Sequence, residues 1–311
     1  MSRVSPRVLL VYAGICVLWG STWLAAKLGL EDLPPLRLVA ARMVLATLLL
    51  APLALRGGVA QLPAREWGWV LLVGLLQVTV PYALMFAGQT MVPSSLAAVL
   101  FCTFPIWLVL LGQWLVPGER LTGRKLALSL VGLAGVAVLQ VGARAADGGG
   151  GRLGLGALLI TAGAFSCALA NALVRRRGLT QSPVVMTFVQ TLGASAVLAL
   201  GSLLLEPGPG SGWTARALGS IAYLALGGTV LTYVGLYWLL PRVSLVVVGT
   251  IPLVDTTVAV ALGTLVAGER LTAAMLAGAA LVLLASALSI SGGPAPPRPW
   301  PPAPGRGTPE P

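Results

Sequence analysis

Residues 94–122 read SSLAAVLFCTFPIWLVLLGQWLVPGERLT, a run without a charged side chain from Ser94 to Gly118 that closes on a short charged turn. An α-helix rises about 1.5 Å per residue, so Ser94 to Val116 suffices to cross a hydrocarbon core of about 30 Å. The closing motif is not unique. Val116 to Thr122 is VPGERLT, and Val266 to Thr272 is VAGERLT, 150 positions further on. One stretch therefore points both to lipid as the solvent and to a duplicated chain.

Outward from this run the same pattern continues. Of the 311 residues, 57% are hydrophobic and 9% charged, against about 25% charged in an ordinary soluble domain. Apolar runs of spanning length are expected at Val8 to Leu28, Leu36 to Leu55, Trp67 to Gly88, Ser94 to Val116 and Lys125 to Val141. A second set follows at Gly154 to Val174, Pro183 to Leu205, Leu218 to Leu240, Ser244 to Val266 and Thr272 to Ser291. The fold class expected is an all-α integral membrane protein of ten transmembrane helices. The first run is longer than a signal-peptide core and lacks a small-x-small cleavage site, so it reads as a retained span.

Composition excludes several functions. The net charge of +11 sits in short clusters between apolar runs, with no basic groove carrying interleaved aromatics, so nucleic acid is not an expected partner. Histidine is absent, which removes the commonest general base and metal ligand. Cys16, Cys102 and Cys167 lie inside separate apolar runs without metal-ligand spacing, and read as packing residues. No P-loop, G-x-S-x-G or H-E-x-x-H motif is present, so neither ATP drive nor an intramembrane hydrolase is expected, and no cofactor is implied.

With the N-terminus inside, thirteen Lys and Arg fall on the inner side of the ten spans and six on the outer, with Arg42 left within a span. That bias places both termini in the cytoplasm. The glycine-rich stretch 147–156, DGGGGRLGLG, divides a first five-helix unit (1–146) from a second (157–291) and reads as a flexible linker, since no strand precedes its nominal G-x-G-x-x-G. Residues 292–311 hold nine prolines and read as a disordered tail.

A second correspondence supports the duplication: Tyr82-x-x-x-Phe86 matches Tyr233-x-x-x-Tyr237 at an offset of 151. Five is odd, so the second unit must enter the membrane inverted. Inverted repeats suit carriers, because two pseudo-symmetric halves can rock about one midplane site. The opening WGSTWLAAKLGLEDLPPLRLVAAR (Trp19 to Arg42), with the two GERLT segments, resembles the EamA family of the drug/metabolite transporter superfamily over about Val8 to Ser291. The resemblance implies two inverted five-helix repeats around a central cavity and export or exchange of small metabolites.

Candidate pathway residues follow from polarity within spans. Asp255 stands at the middle of its run and is the one acidic residue so placed; a central carboxylate costs about 2.5–3.5 kcal/mol and should face a cavity or a partner. Its expected role is proton binding or pairing with a cationic solute, the alternative being a fixed ion pair with Arg42 or Lys27. Arg42 lies within the second span, and Lys27 closes the first, where its stem can snorkel to the interface. The aromatics Trp19, Trp23, Tyr82, Tyr233 and Tyr237 would hold an organic solute by stacking and cation–π contact. Gln77, Gln89, Asn171 and Gln190 each need a partner for their amides. Glu119 and Glu269 read as boundary residues at helix ends.

The expectation is a secondary transporter of the cytoplasmic membrane, exporting small metabolites such as amino acids, with protons as the coupling candidate; a passive facilitator is the alternative. The partners expected are a small-molecule substrate, protons and the lipid bilayer, with the chain a monomer or homodimer. Reporter fusions at either end are expected to read cytoplasmic; reporters on opposite faces would overturn the even span count.

Overall fold

The computed structural model describes residues 5–115, 123–146, 152–177, 181–206, 212–239, 242–243, 251–269 and 271–291. The first GERLT motif with Glu119, the glycine stretch 147–151, the first seven residues of the expected ninth span and the tail from Gly292 lie outside them.

Every regular element among the described residues is helical. Helices α1 (Pro6–Leu30) and α2 (Pro35–Arg56) are followed by α3 (Ala64–Gly74), which runs through a π-helical turn at Leu75–Thr79 into α4 (Val80–Gln89). Next come α5 (Ser94–Phe101), α6 (Phe104–Leu115), α7 (Gly123–Ala146), α8 (Arg152–Arg177) and α9 (Pro183–Leu205). Helix α10 (Ala215–Ala225) passes through a second π turn, Leu226–Leu231, into α11 (Thr232–Leu239), and α12 (Ile251–Leu265) and α13 (Ala273–Ser291) complete the set.

Seven of the rods so formed are long and apolar enough to cross a membrane, and three shorter apolar stretches lie within α7, α12 and α13. The distribution of polarity is that of a lipid-embedded bundle. Leu48, Leu200, Leu203 and Leu265 point outward, while Arg42, Gln89, Thr187, Gln190, Thr229 and Asp255 are buried. The chain is a multi-pass helical membrane protein.

Helix starts and breaks follow from proline. Pro6, Pro35 and Pro183 open α1, α2 and α9, where the missing N–H has no intrahelical partner to lose. Pro81 and Pro105 lie inside rods. Each removes the hydrogen bond to the carbonyl four residues back and crowds that carbonyl. The rod responds to Pro81 with the π turn just upstream, and to Pro105 with a break at Cys102 and Thr103 between α5 and α6. The second π turn contains no proline; Gly227 and Gly228 loosen the helix there instead.

Packing crosses between the halves. Helix α2 lies against α9, and α7 against α13. Helix α1 packs on α12 and on the α10–α11 rod, while α8 packs on α6 and on the α3–α4 rod. Small residues set the closest approaches: a Cβ on Gly88 would stand 2.7 Å from the Gly156 carbonyl oxygen, and one on Gly156 2.8 Å from that of Gly88.

One expectation changes here. Helix α8 begins at Arg152, so the last five residues of the stretch read as a linker are helical, and Gly156 is a packing residue. At the α7–α13 contact the Gly278 carbonyl oxygen lies 3.0 Å from where a Gly135 Cβ would sit.

Gly88→Leu and Gly156→Leu are each expected to destabilise the bundle by about 1–3 kcal/mol, the usual cost of overpacking. Thermal unfolding of the detergent-purified protein measures this, and an unchanged midpoint in both would deny the α4–α8 contact.

Candidate functional site

The two π turns are positioned alike in the halves, Leu75 and Leu226 opening them at the same offset of 151 that relates the tyrosine motifs. A π turn leaves carbonyls without their usual helical donors, and in hydrocarbon those carbonyls need others. In the first half Leu76 O accepts from Ser166 Oγ at 2.8 Å and Gln77 O from Cys167 Sγ at 3.4 Å, both on α8. In the second half the acceptors Gly228 O and Thr229 Oγ1 take Arg42 of α2.

Arg42 is 2% exposed. Its Nε donates to Thr229 Oγ1 at 2.9 Å, and its Nη2 to Gly228 O at 2.8 Å and to Tyr82 Oη at 3.2 Å. Its guanidinium also lies over the Tyr82 ring, 4.4 Å from the centroid. All three acceptors are neutral, and none of the ion pairs among the described residues uses Arg42.

The hydroxyls of the paired tyrosines Tyr82 and Tyr233 meet at 3.4 Å. Trp19 stands edge-on to Tyr233 with centroids 5.7 Å apart, and Tyr233 packs beside Tyr237 at 6.3 Å. Tyr237 donates to Gln190 Oε1 at 3.1 Å, whereas the buried Gln190 Nε2 and the buried Thr232 Oγ1 have no partner. Helices α2 and α9 both open on proline, and Arg42 and Gln190 each lie seven residues further along. The second half therefore carries an amide where the first carries a cation.

Other expected residues lie elsewhere. Asn171 Nδ2 donates to Gln77 Oε1 at 2.7 Å, and Gln89 Nε2 to the Trp23 carbonyl at 2.6 Å, with Trp23 also against Phe101. Asp255 is buried on α12, with Thr256 Oγ1 3.4 Å from its Oδ1. Helix α1 passes so close that a Cβ on Gly20 would meet the Asp255 carbonyl oxygen at 2.6 Å. Neither cation proposed as its fixed partner is paired with it, since Arg42 is engaged as above and Lys27 Nζ bonds Glu269 Oε1 at 2.8 Å.

Lys27 therefore does not simply snorkel, and Glu269 is more than a boundary residue. The Glu269 side chain, 4% exposed, accepts from the backbone N–H groups of Ser94 and Ser95 and from both their hydroxyls, at 2.6–2.9 Å. It thereby neutralises the start of α5, whose unpaired N–H groups favour an anion. At the same end of the bundle Glu206 accepts from the N–H groups of Leu36 and Arg37 at the start of α2. Arg216 and Thr214 bind Asp32, and Arg216 also reaches Glu31. All three clusters join the first half to the second. Sequence reading missed them, although neither α2 nor α5 has an acid in its first turn or a capping side chain of its own. A cavity of about 450 Å³, lined by Lys27, Glu31, Gln89, Pro93 and Glu269 among others, opens beside the first cluster.

A multi-pass bundle with its polar side chains gathered inside, and with two related halves, fits a membrane transporter. The comparisons place it further: the model of the EamA-like transporter family matches residues 7–141 and again 154–291, and the chain belongs to that family. It is 27% identical over 281 residues to the uncharacterized transporter YvbV of Bacillus subtilis (strain 168), covering 89% of both chains. It is 30% identical over 264 residues to the uncharacterized inner membrane transporter YedA of Escherichia coli (strain K12), covering 82% of this chain and 81% of that one. A crystal structure with 24% identity superposes at a TM-score of 0.61, covering 91% of this chain and 96% of the other, which shows a shared fold.

Burial raises the Glu269 carboxyl, but its hydrogen bonds from Lys27, Ser95 and Ser94 outweigh that and hold it at about 2. A carboxylate depressed on folding contributes stability that is complete above its unfolded value of 4.5 and lost as pH falls towards 2. The wild-type unfolding midpoint is therefore expected to drop between those values. Glu269→Gln should lose about 3 kcal/mol at neutral pH and show a shallower acid decline; an acid limb of unchanged depth would remove the clamp.

Proposed function

We propose that this chain is a secondary carrier that moves small amphipathic metabolites, amino acids among them, out of the cell by alternating access. The observation that carries the reading is the meeting of pseudo-equivalent side chains inside the bundle, Tyr82 against Tyr233. A site built at the interface of two matched halves is open to whichever side those halves part on.

Ten spans in two inverted repeats underlie this reading. The family model matches twice, the π turns recur at the offset of the tyrosine motifs, and the contacts of α1 with the second half mirror those of α8 with the first. With both termini cytoplasmic, the three charged clusters at Lys27–Glu269, Glu206–Arg37 and Arg216–Asp32 lie on the outer side. They hold that side shut, and opening outward requires the halves to separate there.

Asp255 is the coupling residue in this reading. It is a buried carboxyl with no ion-pair partner among the described residues, so proton uptake and release are free to follow the conformational cycle. In proteoliposomes with an imposed proton gradient, uphill flux of a small amino acid is expected to collapse with a protonophore. Asp255→Asn should retain downhill exchange and lose gradient dependence. Flux that ignores the gradient in the wild type indicates a facilitator instead, and coupling unchanged in the variant removes Asp255 from the role.

A further inference from the structure

We propose that Arg42 is the anchor for a carboxylate on the transported solute, so that the substrate class is organic acids and amino acids with an apolar body. The proposal rests on the carrier reading above and adds the group that the site recognises.

Three observations lead to it. Arg42 is a buried cation whose contacts are all neutral: a threonine hydroxyl, a backbone carbonyl and a tyrosine hydroxyl. These contacts orient the guanidinium and leave its positive charge without a counter-ion among the described residues. They use only Nε and Nη2 of the three guanidinium nitrogens. An arginine in a membrane interior, held in one orientation yet unpaired, is the arrangement that a transient anion completes.

The neighbouring polar groups are likewise incomplete. Gln190 holds the position of Arg42 in the second half, and its Nε2 is buried and unpartnered. Thr232 Oγ1, adjacent to Tyr233, is also buried without a partner. An unmet donor in a dry interior is unfavourable, and a carboxylate supplies the kind of acceptor that such an amide and the guanidinium each lack. A chain of contacts joins these groups: Arg42 to Tyr82, Tyr82 to Tyr233, Tyr233 to Tyr237, and Tyr237 to Gln190.

The aromatic rings along that chain, with Trp19 against Tyr233, offer apolar area to the rest of the solute. That favours carboxylates carrying an apolar or aromatic body over small inorganic anions, because chloride or phosphate has no apolar surface to set against the rings once the halves part. Arg42 is 2% exposed, so the solute reaches it when the halves part.

The test uses the purified full-length protein in detergent and matched probes: L-phenylalanine and 3-phenylpropionate, which carry the carboxylate, and L-phenylalaninamide and phenethylamine, which lack it. The carboxylate pair is expected to raise the wild-type unfolding midpoint and the other pair to leave it in place. Arg42→Gln should abolish the shift. Arg42→Lys keeps the charge and is expected to weaken binding of the carboxylate pair at least tenfold, which keeps the proposal open to refutation if the glutamine variant does not fold.

Equal stabilisation by carboxylate-free probes, no response to either carboxylate, or unchanged affinity in Arg42→Lys would each overturn the anchor. Counterflow in proteoliposomes separates this from the carrier reading. Phenylalaninamide exchange that persists in Arg42→Gln while the carboxylates never bind removes the anchor and leaves the carrier. Carboxylate binding lost in Arg42→Gln with no flux of any probe keeps the anchor and removes the carrier.

Discussion

Hydrocarbon contains no water to complete an unmet hydrogen bond, and this bundle answers that constraint by taking partners from the opposite half. The π turn of the first half is satisfied by Ser166 and Cys167 of α8, and that of the second by Arg42 of α2. The starts of α5 and α2 are satisfied by Glu269 and Glu206. Neither half completes its own polar groups, which makes their association a matter of hydrogen bonding as well as of packing. Apolar attraction alone offers little in lipid, since side chains and acyl tails are equally apolar.

The frame is matched between the halves and the chemistry is not. Pro35 and Pro183 open corresponding helices, Leu75 and Leu226 open corresponding π turns, and Tyr82 faces Tyr233. Within that frame Arg42 stands opposite Gln190, and α12 carries Asp255 where its counterpart has no carboxylate. In the carrier reading proposed above, it is the matching of the halves that lets the bundle present one interior to either side. In the same reading it is the unmatched side chains that distinguish solutes by charge.

The charged clusters between the halves differ in strength. Arg216 and Glu31 are about half exposed, and pairs so open to solvent contribute little. Asp32 is held at about 2 by its hydrogen bonds from Arg216 and Thr214, so it remains charged across the physiological range without making a strong clamp. Glu269 is enclosed and meets five donors, so more of the hold between the halves resides there.

Much of this molecule was legible in the residues. Charge-poor runs of spanning length identify lipid as the solvent, since no soluble surface can be made from so few charges, and the recurrence of GERLT and of the spaced aromatics reveals two related halves. The side chains that need partners were equally visible, because Arg42, Asp255 and Gln190 are polar within apolar runs. Which partners they find was not, as hydrogen bonds across more than a hundred residues depend on how helices cross and rotate, and periodicity carries no information about that. Lys27 and Glu269 lie at opposite ends of the chain and form one ion pair; Arg42 and Asp255 looked like natural partners and are engaged separately. Hydropathy and the recurring motifs thus determined the solvent and the duplication, while the close approach of helices, set by glycine contacts and by widened turns, decided which charges are matched and which have no counter-ion among the described residues.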